Sequence, residues 1–187
     1  MALPRPRRKP RNVRFFALLA ALIVLGAGVV YGLHWAANPW ALALPGKPAL
    51  TGYWQGVVPY GPGDDRPVVL RLDDDEPSAT DRCGDCPDLF GVLKVCRAGQ
   101  VERYEVWGDP VTYLGTRFRL HTRPDTESAG QRLNEFDGDW DRDRLTIRTS
   151  FTNLGSDGAV VAGSGTPTVE FALTRADEAD FDSPPCR

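Results

Sequence analysis

The sequence predicts an all-β protein, an eight-stranded antiparallel meander that closes into a barrel, preceded by one transmembrane helix. Nineteen consecutive uncharged residues, Phe15 to Leu33, follow a leader with six basic and no acidic side chains. Beyond residue 50, apolar and β-branched residues recur in short runs bounded by Gly, Pro, Asp and Asn, which is typical of strands and turns. In the same region, apolar residues with helical spacing do not continue for more than two turns. The chain therefore divides into a helical anchor and a β domain.

The apolar run is long enough to cross a membrane. At about 1.5 Å of rise per residue it matches a hydrocarbon core of about 30 Å, especially if the helix continues to Ala37. Its basic flank precedes it, and the first basic residue after it is Lys47, so the amino terminus is expected in the cytoplasm. We predict a single-pass protein of the cell membrane with a cytoplasmic leader 1–14, a signal-anchor helix 15–37, a spacer 38–49 and an extracytoplasmic domain 50–187.

A cleaved secretory signal is the alternative to an anchor. The tripeptide Ala41-Leu42-Ala43 fits the small-x-small pattern of a cleavage site, which would release the domain after Ala43. The apolar run exceeds the roughly 7–15 residues of a signal core, and this favours retention. Both interpretations place the β domain outside the cytoplasm.

Composition and spacing indicate which partners to expect. The lipid bilayer contacts residues 15–37, where Gly28 and Gly32 form a GxxxG pair that allows a second helix to approach closely, so a homodimer is one possibility. Without the six leader cations, the formal net charge of −3 becomes about −9, which disfavours nucleic acid as a partner of the exported domain.

The eight predicted strands show alternation that buries one face. In the segment 144–152, Leu145, Ile147 and Phe151 alternate with polar residues, and Leu114, Phe118 and Leu120 do so in 111–122. This pattern indicates antiparallel strands with one solvated face, and closure of the meander removes its two exposed edges. The strands are expected at 50–59, 67–73, 88–96, 101–107, 111–122, 132–140, 144–152 and 167–175.

The first and last strands resemble those of lipocalins and the wider calycin barrels. Gly52-Tyr53-Trp54 opens the first strand as the GxW signature does, and Arg175 ends the last. The resemblance implies that Trp54 plugs the barrel floor while a late basic side chain packs across its ring. Alternation places Arg175 on the same inward face as Phe171. Cation–π stacking on the Trp54 ring would there stabilise the buried guanidinium. If the barrel binds an apolar small molecule, the expected interior contacts are Trp54, Trp107, Phe118, Phe171 and Arg175.

Four exported cysteines predict two disulfides in an oxidising compartment. An extended strand 88–96 separates its ends by about 26 Å, so Cys96 cannot reach Cys83 or Cys86 and is expected to pair with Cys186. Cys83 and Cys86 would then bridge each other. A thioredoxin-type redox pair at Cys83-Gly84-Asp85-Cys86 is disfavoured because a strand-like run follows it rather than a helix. A zinc site with four thiolate ligands is also disfavoured, because the sequence has no second CxxC motif.

The remaining polar clusters predict turns rather than catalytic or metal sites. Asp137, Asp139, Asp141 and Asp143 surround Trp140 with a spacing that suits a polar hairpin, and they lack the distal Glu of an EF-hand. A second acidic group occupies 73–76, and a Gly-rich segment at 155–165 lacks the Lys of a phosphate loop. His121 is expected at the surface, since neither a GxSxG elbow nor a paired nucleophile accompanies it. No catalytic residue, metal ligand or cofactor is predicted.

The function predicted from these patterns is binding. We expect a membrane-anchored extracytoplasmic barrel module that binds an apolar ligand or an envelope protein. The alternatives are an extracytoplasmic enzyme, either a thiol-disulfide oxidoreductase using Cys83 and Cys86 or a hydrolase, and a purely structural component of the envelope.

Overall fold

The computed structural model describes residues 13–41, 43, 48–74, 87–125, 130–155, 168–184 and 186. Cys83, Cys86, most of the predicted leader and most of the Gly-rich segment lie outside these ranges. The chain forms two compact units, Met1–Ala37 and Asn38–Arg187.

The first unit contains one long helix, α1, at Val13–Ala37. Its segment Phe15–Leu33 is long and apolar enough to cross a membrane, and all of its side chains are exposed. A helix that presents apolar side chains on every face is suited to lipid rather than to water. The predicted membrane-spanning length is therefore confirmed, whereas orientation and retention stay predictions.

The second unit is a closed antiparallel β-barrel. Each strand pairs with its neighbours, and β9 pairs with both β1 and β8, so the sheet closes on itself. The eight-stranded barrel predicted from the sequence is confirmed. The elements are β1 Gly52–Gly61, β2 Asp64–Asp73, β3 Leu89–Arg97, β4 Gln100–Pro110, β5 Arg117–Pro124, β6 Gly130–Leu133, β7 Phe136–Asp141, β8 Arg144–Leu154, β9 Thr168–Arg175 and a short helix, α2, at Glu178–Asp182.

One barrel strand is broken into two segments. The predicted strand 132–140 is interrupted at Asn134 and Glu135, so that β6 and β7 follow each other along the same side of β8. Leu133 and Phe136 are both buried although they are three residues apart, and strict alternation would place them on opposite faces. An extra residue in one strand, a β-bulge, accounts for this spacing.

The predicted strand 111–122 is wrong in its first half. Strand β5 begins only at Arg117, because the Val111 N–H donates to the Arg117 carbonyl at 2.7 Å and closes a loop. Gly115 has a φ of 69° inside this loop, and Leu114 is 52% exposed rather than buried. The inward positions of Phe118 and Leu120 are confirmed.

The inward faces of the strands form one continuous apolar core. It includes Trp40 and Ala41, which the sequence assigned to the spacer, and the Leu50 N–H donates to the Trp40 carbonyl at 2.7 Å. The chain from Asn38 onward thus belongs to the barrel unit. The large side chains with 0–1% exposure include Trp54, Phe118, Phe136, Phe151, Leu145 and Ile147.

A second, smaller apolar cluster lies outside the barrel wall beneath α2. Phe181 of this helix packs with Val69 and Val92, and its ring centroid lies 5.7 Å from that of Tyr53. Lys94 donates from Nζ to the Phe181 carbonyl at 2.6 Å. The predicted Cys96–Cys186 disulfide is confirmed, and it ties the carboxyl terminus to β3 across a sequence separation of 90.

Candidate functional site

The barrel floor contains the predicted Trp54–Arg175 pair. Trp54 is fully buried, and its Nε1 donates to the Leu50 carbonyl at 3.1 Å. The Arg175 Cζ lies 3.8 Å from the centre of the indole, and its Nη1 donates to the Thr51 carbonyl at 2.8 Å. Burial lowers the pKa of Arg175, and the charge of Asp143 opposes this shift. The pair closes one end of the barrel with a stacked cation.

Phe118 and Phe171 point into the interior, as predicted, and are packed there. The Phe171 and Phe136 rings meet edge to face with centroids 6.3 Å apart, and Gly138 lies directly beneath the Phe118 ring. Phe118 is 1% exposed and Phe171 6%. A cavity that admits water would leave part of such side chains exposed. Ligand binding by these residues stays a prediction that the packing does not support.

Trp107 lies on the outer wall, so the prediction of an interior position is wrong. The inward positions of β4 are taken by Tyr104 and Val106, and alternation turns Trp107 outward. There its ring centroid is 5.9 Å from that of His121, and the Arg123 Cζ lies 5.6 Å from the ring. These three side chains form an aromatic and cationic surface on β4 and β5.

A groove of about 830 Å³ lies beside this surface and is lined by residues of β4 to β9. On one side of it, the pairing of β5 with β7 ends at Leu120. Trp107, His121, Arg132 and Ser150 are among the residues that line the groove. Three other grooves among the described residues have smaller volumes, of about 380, 480 and 390 Å³.

Two polar contacts cross the narrow end of the groove. The His121 Nδ1 lies 3.0 Å from the Glu135 Oε1, and the Thr122 hydroxyl donates to the Leu133 carbonyl at 2.7 Å. Ion pairs on the rim join Arg119 to Asp137 and Arg148 to Glu170. The prediction that His121 is a surface residue is confirmed, since its side chain is 47% exposed. The sequence analysis did not identify the groove, because its lining comes from strands that are far apart in the sequence.

The predicted hairpin acids lie on the outside of β7 and in the following turn. Arg117 lies 3.8 Å from Asp139, while Arg142 of the turn has a φ of 52°. Among the described residues, His, Cys, Asp and Glu do not assemble in a group of three or more that could hold a metal ion. The geometry is that of a charged hairpin with offsetting arginines.

A buried cation occupies the end of the barrel opposite Trp54. Arg66 is 8% exposed, stacks 3.7 Å from the centre of the Tyr60 ring, and donates from Nε and Nη2 to the Asp64 carboxylate at 2.9 and 2.7 Å. These hydrogen bonds hold the pKa of Asp64 below its ordinary value, although desolvation acts against them. Burial raises the pKa of Tyr60 and of Tyr104. The cluster stabilises this end of the barrel.

Replacing Asp64 with Asn should lower the free energy of unfolding at pH 7 by about 1 kcal/mol. It removes a charge-assisted hydrogen bond from a buried guanidinium, and half exposure of the carboxylate limits the effect. Because the folded-state pKa of Asp64 is depressed, its contribution is present above about pH 4 and is lost as the pH falls further. Denaturant unfolding at pH 7 and at pH 3 measures both effects. Asp65→Asn is the control, because the neighbouring Asp65 is exposed, and equal losses in the two variants would contradict the prediction.

Comparisons of this chain with models of protein families, with curated proteins and with solved structures find no match. Any functional argument thus depends on the residues of the chain itself.

Proposed function

We propose that this protein is a membrane-anchored extracytoplasmic module whose barrel binds a protein partner on its outer wall. One observation carries the proposal: the inward faces of the strands are packed, whereas a groove of about 830 Å³ lies on the outside. The apolar side chains that would line an interior ligand site contact one another. Among the described residues the packed interior therefore does not favour a small apolar ligand, whereas the aromatic and cationic side chains beside the groove lie on the outer wall, where a partner can reach them.

The chemistry of the groove also suits a protein. It combines an indole at Trp107, an imidazole at His121 and hydroxyl groups such as that of Ser150. Aromatic and arginine side chains are enriched where proteins bind each other. The Cys96–Cys186 disulfide suits an oxidising compartment, which agrees with the exported location predicted from the basic leader.

Photocrosslinking in intact cells tests the partner. p-Benzoylphenylalanine in place of His121, whose side chain is 47% exposed, should form a crosslink to one defined protein. The same residue in place of Val101, which is 47% exposed and lies outside the groove, is the matched control. Equal crosslinking at the two positions, or none at His121, would reject the groove as a partner site.

Membrane attachment is tested separately on the same full-length chain. Alkaline extraction should leave it in the membrane fraction, and protease added outside the cytoplasmic membrane should cut the barrel domain but spare the amino terminus. Recovery of the chain in the soluble fraction would refute the anchor while leaving the partner result unaffected.

A further inference from the structure

Exposed apolar side chains of the barrel unit are concentrated in the loop between β4 and β5. Among the described residues of this unit, large apolar side chains are exposed at Val57, Val101, Val111, Tyr113 and Leu114. The last three lie close together in the loop 111–116, and each is more than half exposed. Single exposed apolar residues are ordinary on a protein surface, whereas a cluster of them marks a surface that contacts another molecule. The loop is therefore a candidate contact surface.

Hydrogen bonds within the loop constrain its backbone. The Gly115 N–H donates to the Thr112 carbonyl at 2.8 Å, and the Arg117 N–H donates to the Thr112 hydroxyl at 3.1 Å. The hydroxyl groups of Thr112 and Thr116 lie 2.9 Å apart and share a hydrogen bond. A loop that is ordered before it binds loses little conformational entropy on binding. The exposed apolar side chains on either side of Thr112 are thus presented by a preorganised loop.

The loop packs against the point at which the chain enters the barrel unit. Trp40 is buried, and a Cβ added to Gly115 would lie 2.5 Å from the Trp40 Cβ, so only glycine permits this approach. Gly115 also has a φ of 69°, which glycine adopts without strain. The loop and Trp40 therefore lie at the same end of the barrel.

Covalent geometry keeps Trp40 close to the end of the apolar segment. That segment ends at Leu33, and α1 itself ends at Ala37, three residues before Trp40. Four helical residues rise by about 6 Å, and three extended residues span at most about 11 Å. This limit of about 17 Å comes from the covalent chain and holds for any orientation of α1. A bilayer crossed by the segment has an interfacial layer of about 5–8 Å outside its hydrocarbon core, so the loop on Trp40 is within reach of that layer.

The chemistry of the three exposed side chains matches the interfacial layer of a bilayer. Tyr113 combines an apolar ring with a polar hydroxyl, and tyrosine is enriched where the headgroups meet the acyl chains. Val111 and Leu114 flank it and add apolar surface without charge. Transfer of such surface from water to the interfacial layer is favourable.

The neighbouring charges indicate which lipid the loop suits. The Trp140 N–H donates to the Thr116 carbonyl at 2.8 Å, which joins the loop to the β7–β8 hairpin. Arg117 lies 3.8 Å from Asp139, and the turn 141–144 contains two aspartates and two arginines. Because these charges offset one another, an anionic headgroup gains no net attraction here. A zwitterionic lipid such as phosphatidylcholine is the expected occupant.

We infer that the loop 111–116 inserts Val111, Tyr113 and Leu114 into the interfacial layer of the bilayer that α1 crosses, as a second contact of this protein with zwitterionic lipid. This inference rests on the proposed membrane-anchored function and adds an interaction surface to it. Because α1 supplies the attachment, the loop needs little affinity of its own: the tether raises the effective concentration of lipid at the loop. The contact holds the end of the barrel that contains Trp40 against the bilayer.

Quenching of fluorescence by spin-labelled lipid tests the contact. The full-length protein carries the fluorescent amino acid acridonylalanine in place of Leu114, in phosphatidylcholine nanodiscs with and without doxyl-labelled phosphatidylcholine. We expect the doxyl lipid to quench this emission by about twofold or more, since an inserted side chain lies in the interfacial layer. The same fluorophore in place of Val101, which is exposed at the other end of β4, is the matched control and should be quenched little.

The double variant Val111→Ser/Tyr113→Ser separates insertion from proximity to the bilayer. It removes apolar surface from the loop, so it should lower the quenching at position 114 by about half or more. Val57→Ser/Val101→Ser removes exposed apolar side chains outside the loop and should leave that quenching unchanged. Denaturant unfolding checks that both variants are folded, and the comparison of positions 114 and 101 in the native background does not depend on either variant.

Two kinds of result would overturn the inference. The first is equal quenching at positions 114 and 101, or quenching at position 114 that Val111→Ser/Tyr113→Ser leaves unchanged. The second is emission at position 114 that resists both doxyl lipid and acrylamide, a water-soluble quencher, because a protein or a second copy of this chain would then cover the loop.

Acridonylalanine in place of Leu25, in the apolar segment of α1, reports on the anchor itself. If doxyl lipid quenches the emission at position 25 but not at position 114, the proposed membrane-anchored function stands and only this inference falls. Absence of quenching at position 25 would reject the anchor, and the inference with it.

Discussion

Replacing Trp54 with alanine is expected to lower the free energy of unfolding by about 3–5 kcal/mol. The indole is fully buried in the core, and its removal deletes the hydrogen bond to the Leu50 carbonyl together with the surface on which Arg175 stacks. The Arg175 Nη2 is already buried without a hydrogen-bond partner, so the variant would leave a buried cation with still less stabilisation. Denaturant unfolding of the full-length chain, followed by far-UV circular dichroism, measures the loss.

Trp107→Ala is the matched control for this substitution. The side chain has the same volume, but Trp107 lies half-buried on the outer wall, where its removal opens no cavity in the core. We expect it to lower the free energy of unfolding by less than half as much as Trp54→Ala. Similar losses for the two variants would show that Trp54 does not plug the barrel floor.

Replacing Cys186 with serine should lower the free energy of unfolding by about 4.5 kcal/mol in the loop-entropy description. The bond links residues with a sequence separation of 90, so the unfolded chain gains a large set of conformations when it is removed. Strand β3 would also lose its covalent link to the chain beyond α2, whose Phe181 covers Val69 and Val92 on the outer wall. Unfolding under non-reducing conditions measures the difference from the native chain.

The double variant Cys96→Ser/Cys186→Ser separates the bond from the individual side chains. Both single variants break the same covalent link, so the double variant should be about as unstable as either single one. Additive losses would indicate that each thiol contributes through packing instead. An unchanged unfolding midpoint in Cys186→Ser would mean that the disulfide does not stabilise the barrel.

Local patterns in the sequence were enough for the apolar helix, most of the strands and the confirmed disulfide. Nineteen uncharged residues define a membrane-compatible helix without reference to any other part of the chain. Alternation of period two identifies strands such as β8, because each inward residue must be apolar. The bridge from Cys96 to Cys186 followed from the length of one extended strand, which is a covalent limit.

The side of the wall on which an aromatic residue lies was harder to predict. Trp54 and Phe118 were placed correctly, whereas Trp107 was assigned to the interior and lies outside. Tryptophan is favoured in strands whichever face it lies on. The residue type therefore carries little information about whether the side chain points inward or outward. The phase of β4 is set by its pairing with β3 and β5, and these are contacts between distant segments.

By itself the sequence determined what the covalent chain and its short-range periodicity dictate: an apolar helix, strands with one apolar face, and a Trp54 and an Arg175 in phase with the interior. The tertiary structure alone decided that β5 pairs with β7, that β6 and β7 both pair with β8, and that Trp40 joins the core. The physical reason is that register, closure and bulges depend on pairings between strands far apart in the sequence. The candidate binding groove arises from those pairings.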